Sequence, residues 1–301
     1  MTDNARWVRP FGTAGKDVWQ VAIDGGTDEW HHTSLYVARL AEGESRTMAP
    51  GEWEHVVVPL SGSLRVVVSS ADVAHETVLA GRSSPFSGST DVAYAASRSS
   101  ITVTALDGPA RVAFCGAKAA TRHTPVFRHV RADEVPVELR GAGRASREVR
   151  NFGVPDVLDA DSIIVCEVVT PAGNWSSYPP HKHDEDRPGE ETELEEIYYF
   201  EVQAEDGSSP GGVGYQRVYG TAERPIDVLA EVRTGDVVLV PHGWHGPAMA
   251  PPGYDLYYLN VMAGPGEERA WLICDDPAHG WVRDTWPTQP FDPRLARGGQ
   301  R

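Results

Sequence analysis

Hydrophobic and polar positions alternate over short runs along most of the chain, and residues that favour turns separate the runs. In the first half Trp53–Leu60 precedes Ser61 and Gly62, and Leu64–Val68, Val92–Ala96, Ile101–Ala105 and Ala110–Phe114 follow at short intervals. Runs of β-branched and apolar residues with this spacing predict antiparallel strands of a sandwich or barrel. A more polar stretch follows, with arginines such as Arg140 and Arg144, and reads as a solvated crossover, not an anion site. The second half repeats the grammar of the first: Ser162–Thr170, Glu196–Val202, Tyr215–Tyr219, Val228–Val232, Asp236–Pro241 and Leu256–Met262 are each bounded by Gly, Pro or Asp. No apolar period of 3.6 residues lasts long enough for a core helix. The expectation is an all-β chain with few helices. It divides into an N-terminal unit over 1–118, a crossover over 119–150, and a C-terminal unit over 151–301 with a tail. The tail from Asp275 onward carries Trp281 and Trp286, which are expected to pack against the barrel or a neighbouring subunit.

Composition narrows the function classes. With 301 residues and 41% hydrophobic content the chain can bury a substantial core, and 30 Gly with 23 Pro favour tight turns over long helices. A formal net charge of −16 argues against nucleic acid and anionic membrane surfaces as partners. An anionic small molecule remains compatible if one pocket is locally positive. Cys115, Cys166 and Cys274 lie far apart with no C-x-x-C pair, which reads as reduced thiols and not as a disulfide framework or zinc cluster. Met1 to Val21 contains no apolar leader run and no stretch approaches membrane-span length, so a soluble cytoplasmic protein is expected.

The candidate chemistry lies in the second half. In the segment from Tyr178 to Asp184, His181 and His183 are two residues apart, a spacing that aims both imidazoles to one side of an extended chain. A strand opening at Glu196 then supplies a carboxylate. A second strand, from Gly235 through Pro241 and Gly243, ends by presenting His245. Three imidazoles and a carboxylate suit one divalent ion, with Zn, Mn, Fe, Co and Ni all compatible. A lone H-x-H is a weak signal, whereas the joint pattern is specific. Eight acidic residues lie between His183 and Ile197: Asp184, Glu185, Asp186, Glu190, Glu191, Glu193, Glu195 and Glu196. Most of them read as the solvated face of a loop. Glu195 and Glu196 point to opposite sides of a strand, and Glu196 is preferred as ligand because it directly precedes the Ile-Tyr-Tyr-Phe run. His242 reads as outward or behind the ligands. His31, His32, His55, His75, His123, His129 and His279 have no ligand-like spacing and read as surface or hydrogen-bonded histidines.

H-x-H, a strand-opening Glu and G-D-x-x-x-x-P-x-G with a following His resemble the two motifs of the cupin superfamily. The gap before Glu196 is longer than usual, and His245 comes one position early. The runs Asn174–Asp184, Leu194–Phe200, Gly214–Tyr219 and Pro252–Pro265, continuing to Trp281, resemble the 5-deoxy-glucuronate isomerases of myo-inositol catabolism. The likeness covers nearly all of the second half and extends more weakly through the first. There, Glu54 to Gly62 looks like a cupin strand stripped of its metal ligands.

The resemblance implies two jelly-roll-like cupin barrels, of which only the second holds metal. It also implies isomerisation of 5-deoxy-D-glucuronate to 5-dehydro-2-deoxy-D-gluconate. A divalent ion chelating the carbonyl and neighbouring hydroxyl oxygens would stabilise the enediolate. The base is open among the non-ligating member of Glu195/Glu196, a Tyr relay through Tyr198 or Tyr254, and metal-bound hydroxide. Arg217 is the preferred partner for the uronate carboxylate, because a guanidinium binds carboxylate bidentately. Lys182 is expected to turn away from the ligands. Tyr198, Tyr254, Tyr257 and Trp244 could wall the pocket. A homo-oligomer is expected, as two-cupin chains commonly self-associate. Competing readings are an isomerase of the 5-keto-4-deoxyuronate from pectin breakdown, an iron cupin dioxygenase, and a metal-bearing sugar-binding module.

Overall fold

The computed structural model describes residues 2–26, 30–71, 73–119, 125–208 and 211–295; His123 lies outside them. The fold is all-β. The longest helical elements among the described residues are one four-residue α-helix, Asn4–Trp7, and a 3-10 helix over Gly280–Thr288. None is long and apolar enough to cross a membrane.

Three antiparallel sheets make up the chain. A central sheet of seven strands runs in the order Val8–Arg9, Val237–Val240, Glu195–Ala204, Tyr254–Ala263, Ile164–Thr170, Arg147–Gly153 and Val137–Arg140. An outer sheet of six strands runs from Asp227–Val232 through Gly214–Tyr219, Trp244–Met249 and His181–Lys182 to Cys274–Asp275, with Trp175–Ser176 also paired to Trp244–Met249. The eight-stranded N-terminal sheet is built around two long strands, Trp53–Ser69 and Ser100–Lys118.

These sheets are open, which corrects the expectation of two closed cupin barrels. The central sheet ends on Val8–Arg9 and Val137–Arg140, the outer sheet on Asp227–Val232 and Cys274–Asp275, and no ladder joins these edges among the described residues. The sequence could not distinguish the two arrangements. Period-two alternation reports which face of a strand is buried, and face-to-face sheets need the same alternation as a closed barrel.

Two expected turns also prove to be bends within continuous strands. Trp53–Leu60 and Leu64–Val68 form one strand of 17 residues, whose register shifts around Ser61 to Ser63. Gly62 sits there at φ +82°, and a Cβ on it would lie 2.8 Å from the Cβ of Ala110. Ile101–Ala105 and Ala110–Phe114 likewise belong to one 19-residue strand, with Asp107 at φ 48°. A small residue at a bulge and one at a hairpin turn look alike in sequence.

The central sheet is buried on both faces. Odd-numbered positions of its strand Glu195–Ala204 meet the N-terminal sheet, where Glu195 binds Thr33 and Tyr199 binds Arg111. Even-numbered positions face the outer sheet, where Glu196 meets His245. One hydrophobic cluster includes residues of all three layers, such as Val58, Ile197, Phe200, Val218 and Ala248. A second, with Leu64, Val66, Ile101 and Phe114, fills the curl of the N-terminal sheet.

Buried charge pins the layers together. Glu167, with no exposed surface, accepts two hydrogen bonds from Arg82 at 2.6 Å, one from Arg150 at 2.8 Å and one from the Tyr257 hydroxyl at 2.9 Å. Burial alone would raise its carboxyl, but the two guanidiniums bring it down to about 2. Glu167→Ala leaves two buried cations without their shared partner, and removing one member of such a group typically costs about 3–5 kcal/mol. Denaturant unfolding is expected to show a loss of this size. Because the folded value is depressed, the stabilisation is present above about pH 4.5 and is lost as pH falls toward 2. Wild type and Glu167→Ala should therefore converge in acid, and a constant gap between pH 7 and pH 2 would refute the assignment.

Candidate metal centre

Three elements bring the histidines and the carboxylate together. His181 lies on the short strand His181–Lys182, directly opposite His245 on Trp244–Met249. His183 follows after the strand ends and pairs with Leu194, whose N–H donates to the His183 carbonyl at 2.9 Å. This clamps the chain beside the start of Glu195–Ala204, so the loop between them bulges outward without moving the ligands. The backbone of the outer sheet approaches closely here. Gly246, at φ +104°, would place a Cβ 1.8 Å from the Ser177 carbonyl oxygen, so only glycine fits.

His183 Nε2 lies 3.2 Å and His245 Nε2 3.1 Å from the same oxygen, Glu196 Oε2. All three side chains are buried, and one potential ligand atom from each lies within 4.8 Å of the others. The far side of each ring is also held. Nδ1 of His183 lies 3.2 Å from the Leu194 carbonyl, Nδ1 of His245 3.1 Å from that of Gly243, and Nδ1 of His181 3.3 Å from that of Pro179. A carbonyl can only accept, so each Nδ1 donates there and each Nε2 is the ring atom left for a metal, which would displace any proton shared with Glu196. Nε2 of His245 is buried and makes no hydrogen bond of good geometry. Such a donor set fits a divalent ion: it is buried and preoriented, with imidazole and carboxylate atoms converging where a metal would bind. His183, Glu196 and His245 can therefore hold a single divalent ion. His181 stands beside them, its ring centre 4.6 Å from that of His245.

The electrostatics agree with this arrangement. Burial would raise the Glu196 carboxyl, but the hydrogen bond to His183 and the adjacent His245 imidazole lower it to about 2. Burial would lower His183, but its bond to Glu196 outweighs that and raises it. Burial together with His245 and His183 pushes His181 well below its ordinary value, so it stays neutral.

The other expected site residues lie elsewhere. Glu195 faces away from the triad and accepts hydrogen bonds from the backbone N–H groups of His31, His32 and Thr33 and from the Thr33 hydroxyl, at 2.6–3.0 Å. Arg217 turns outward from the outer sheet, where it binds Asp227 and the carbonyls of Val218 and Val228 and stacks on Tyr219. Its neighbour Gln216 is the residue that faces inward, fully buried with both ends of its amide unpartnered. Tyr254 lies at the far end of its strand, opposite Ala204 and close to Gly212. Tyr257 points to Glu167 and the N-terminal sheet, whereas Tyr198 is buried on the triad's face with its ring centre 6.2 Å from that of His245.

Lys182 turns from the ligands, as alternation requires. It binds Asp184 and Glu191 beneath the ring of Trp244. The acidic run is only half solvated: Glu185, Asp186, Glu190 and Glu193 are exposed, whereas Asp184, Glu191, Glu195 and Glu196 are buried. Asp184 ties this loop to the other ligand segment by accepting the Gly243 N–H at 2.8 Å. His55, which reads as an ordinary histidine in sequence, is buried in the N-terminal sheet, and burial pushes it down to about 4.

The comparison with known sequences decides the family. Residues 7–282 match the KduI/IolB family. The chain belongs to that family. A 5-deoxy-glucuronate isomerase of Geobacillus kaustophilus is 54% identical over 153 residues, a match covering 50% of this chain and 51% of the relative, so the chain aligns with about half of that protein's length. The enzyme of the same name from Halalkalibacterium halodurans is 37% identical over 265 residues, covering 88% of this chain and 92% of the relative. The crystal structure of an IolB-like protein from Salmonella typhimurium LT2 superposes with a TM-score of 0.81 at 34% identity, over 92% of this chain and 98% of that one.

In this KduI/IolB chain the two neighbouring glutamates give a direct test of the centre. Glu196→Gln is expected to lower bound metal per chain at least about tenfold by elemental analysis, since a carboxylate ligand becomes a neutral amide. Glu195→Gln is expected to keep its metal and lose stability instead, because its oxygens serve the Thr33 backbone. The reverse pattern would place the ligand on the other face of the strand.

Proposed function

We propose that the chain is a metal-dependent aldose–ketose isomerase converting 5-deoxy-D-glucuronate to 5-dehydro-2-deoxy-D-gluconate. The observation that carries this reading is the convergence of His183, Glu196 and His245 on one buried point, in a chain whose relatives bear the name 5-deoxy-glucuronate isomerase.

The reaction is redox-neutral. A carbonyl and the adjacent carbinol exchange places as one proton leaves the carbinol carbon and one reaches the former carbonyl carbon, while a hydroxyl proton passes between the two oxygens. When bound, a divalent ion supplies fixed positive charge beside those oxygens, which makes the carbon-bound proton easier to remove. His183, Glu196 and His245 would hold that charge in place, and His181, beside His245, could join them.

Tyr198 follows Glu196 by two positions on the same face, and its hydroxyl lies 3.3 Å from Ser177 Oγ. The Tyr258 hydroxyl lies 3.2 Å from the same oxygen. Three hydroxyls in a row keep exchangeable protons beside the triad, ready to be donated to a sugar oxygen. Phe200, Val218 and Ala248 pack around them without exposed surface and keep bulk water from the reacting carbons.

The test joins elemental analysis of the purified protein to an isomerase assay on 5-deoxy-D-glucuronate. Stoichiometric metal and turnover are expected, with a loss of at least about 100-fold in kcat for His183→Ala, the scale of removing a key electrostatic group. Full metal occupancy without turnover, or oxygen uptake when the sugar is added, would overturn the isomerase reading.

A further inference from the structure

Arg147 is a buried charge that the triad and its neighbours leave unexplained. It lies on the strand Arg147–Gly153 of the central sheet with 4% of its surface exposed. Alternation across the sheet sets its direction. The register links Phe200 to Tyr258, Tyr258 to Val168, and Val168 to Val149. Arg147, two positions from Val149, therefore faces the same way as Glu196, Tyr198 and Tyr258.

Among the described residues its hydrogen-bond acceptors are two backbone carbonyls, Ala145 at 3.0 Å and Tyr178 at 3.4 Å. Among the described residues no carboxylate lies within ion-pair distance of it, whereas the neighbouring Arg140 has one and Arg150 has two. A buried guanidinium left without an anion is costly, and native proteins retain such a group where something else supplies the charge.

Its surroundings place it beside the site. Tyr178, whose carbonyl it reaches, precedes His181 by three residues on the segment that delivers the ligand histidines. Its other contact is the ring of Trp286, 5.7 Å away. Tyr178 and Trp286 also line a cleft of about 200 Å³ together with Arg144 and Trp175. The Arg147 charge is felt by both His181 and Tyr258, and burial draws Arg147 itself down to about 10, so it remains a cation at neutral pH. Asn260, opposite Tyr198 on the next strand, has a buried amide nitrogen with no acceptor. A sheet face that carries a spare donor and a spare cation beside the triad suits a ligand rich in acceptors that carries one negative charge.

We propose that Arg147 binds the carboxylate of the sugar acid and so sets the enzyme's preference for an acid over a neutral sugar. This rests on the isomerase reading above and adds to it the residue that selects the substrate class. It assigns the carboxylate to Arg147 in place of Arg217, whose guanidinium is engaged with Asp227 on the outer surface.

The experiment compares 5-deoxy-D-glucuronate with the neutral analogue whose carboxylate is replaced by hydroxymethyl, using metal-loaded wild type, Arg147→Met, Arg147→Lys and Arg217→Met. Truncating one partner of a buried charge pair costs roughly 30- to 5,000-fold. Arg147→Met is therefore expected to lose at least about 30-fold in kcat/KM on the acid, chiefly through KM. It should change less than about threefold on the neutral sugar and keep its metal. Arg147→Lys should recover part of the loss, and Arg217→Met should retain the preference. Equal losses on both sugars, an unchanged preference in Arg147→Met, or loss of the preference in Arg217→Met would each overturn the proposal. If wild type turns over neither sugar, the isomerase reading fails separately, and calorimetric titration with D-glucuronate decides the anchor. Binding at least about 30-fold weaker in Arg147→Met supports it; equal binding, or none to wild type, overturns it.

Discussion

The strand Glu195–Ala204 can serve a metal centre because its two faces are held by different means. On one face Glu195 gives both carboxylate oxygens to the backbone at His31, His32 and Thr33. On the other, Glu196 meets two imidazoles. Two adjacent carboxylates would compete for one point if the strand could rotate, and the bonds made by Glu195 prevent it. The N-terminal half returns the interaction. Glu54 accepts from the backbone N–H groups of Asp161, Ser162 and Ile163 at 2.6–2.9 Å and from the Tyr94 hydroxyl at 2.6 Å. Each half thus uses a buried glutamate to satisfy the segment that opens or precedes a strand in the other. Such groups would be costly if buried unmet. This reciprocity ties the position of Glu196 to the presence of the N-terminal sheet, even though that sheet contributes no ligand.

The same comparison shows what separates the two halves chemically. The residue after Glu54 is His55, and the residue after Glu195 is Glu196; both point into the interior of their own half. Glu196 meets imidazoles there, whereas His55 stands near Ser34 and Gly116, neither of which offers a ligand suited to a divalent ion. Among the described residues the only group able to hold a metal is His183, Glu196 and His245. Burial keeps His55 neutral near pH 7, so the first half fills its interior without charge.

Much of this was legible in the sequence, and the gaps have physical causes. His183, Glu196 and His245 could be found because residue spacing on extended chain sets the direction of a side chain, and each sits at the end of a recognisable strand. Sheet closure was not legible, because alternation is a property of single strands and closure a property of their edges. Tyr215–Tyr219 was recognised as a strand but with the wrong residue facing in. An arginine flanked by Gln216 and Val218 attracts attention by its charge, while burial pattern alone would have chosen Gln216. Arg147 carried no motif. It lies in the stretch that reads as a solvated crossover, and only pairing of Arg147–Gly153 with Ile164–Thr170 brings it inside. A long-range contact of this kind leaves no local periodicity to detect.

An overall charge of −16 and the proposed anionic substrate are compatible only if the field inside differs in sign from the field outside. Beyond about 8 Å of physiological electrolyte the surface charges are largely screened, while a charge in the low-dielectric interior is not. A surface arginine such as Arg217, already neutralised by Asp227, adds little to such a difference. A cation with 4% of its surface exposed, hydrogen-bonded to two carbonyls and set against the Trp286 ring, adds more, because solvent screens it less. On the proposed function, the acidic exterior disfavours anions in general, and the interior favours one whose carboxylate reaches Arg147 while its sugar oxygens reach the triad. Selectivity in the proposed reading rests on two positive points on one face of the central sheet, a metal ion at the triad and the Arg147 guanidinium.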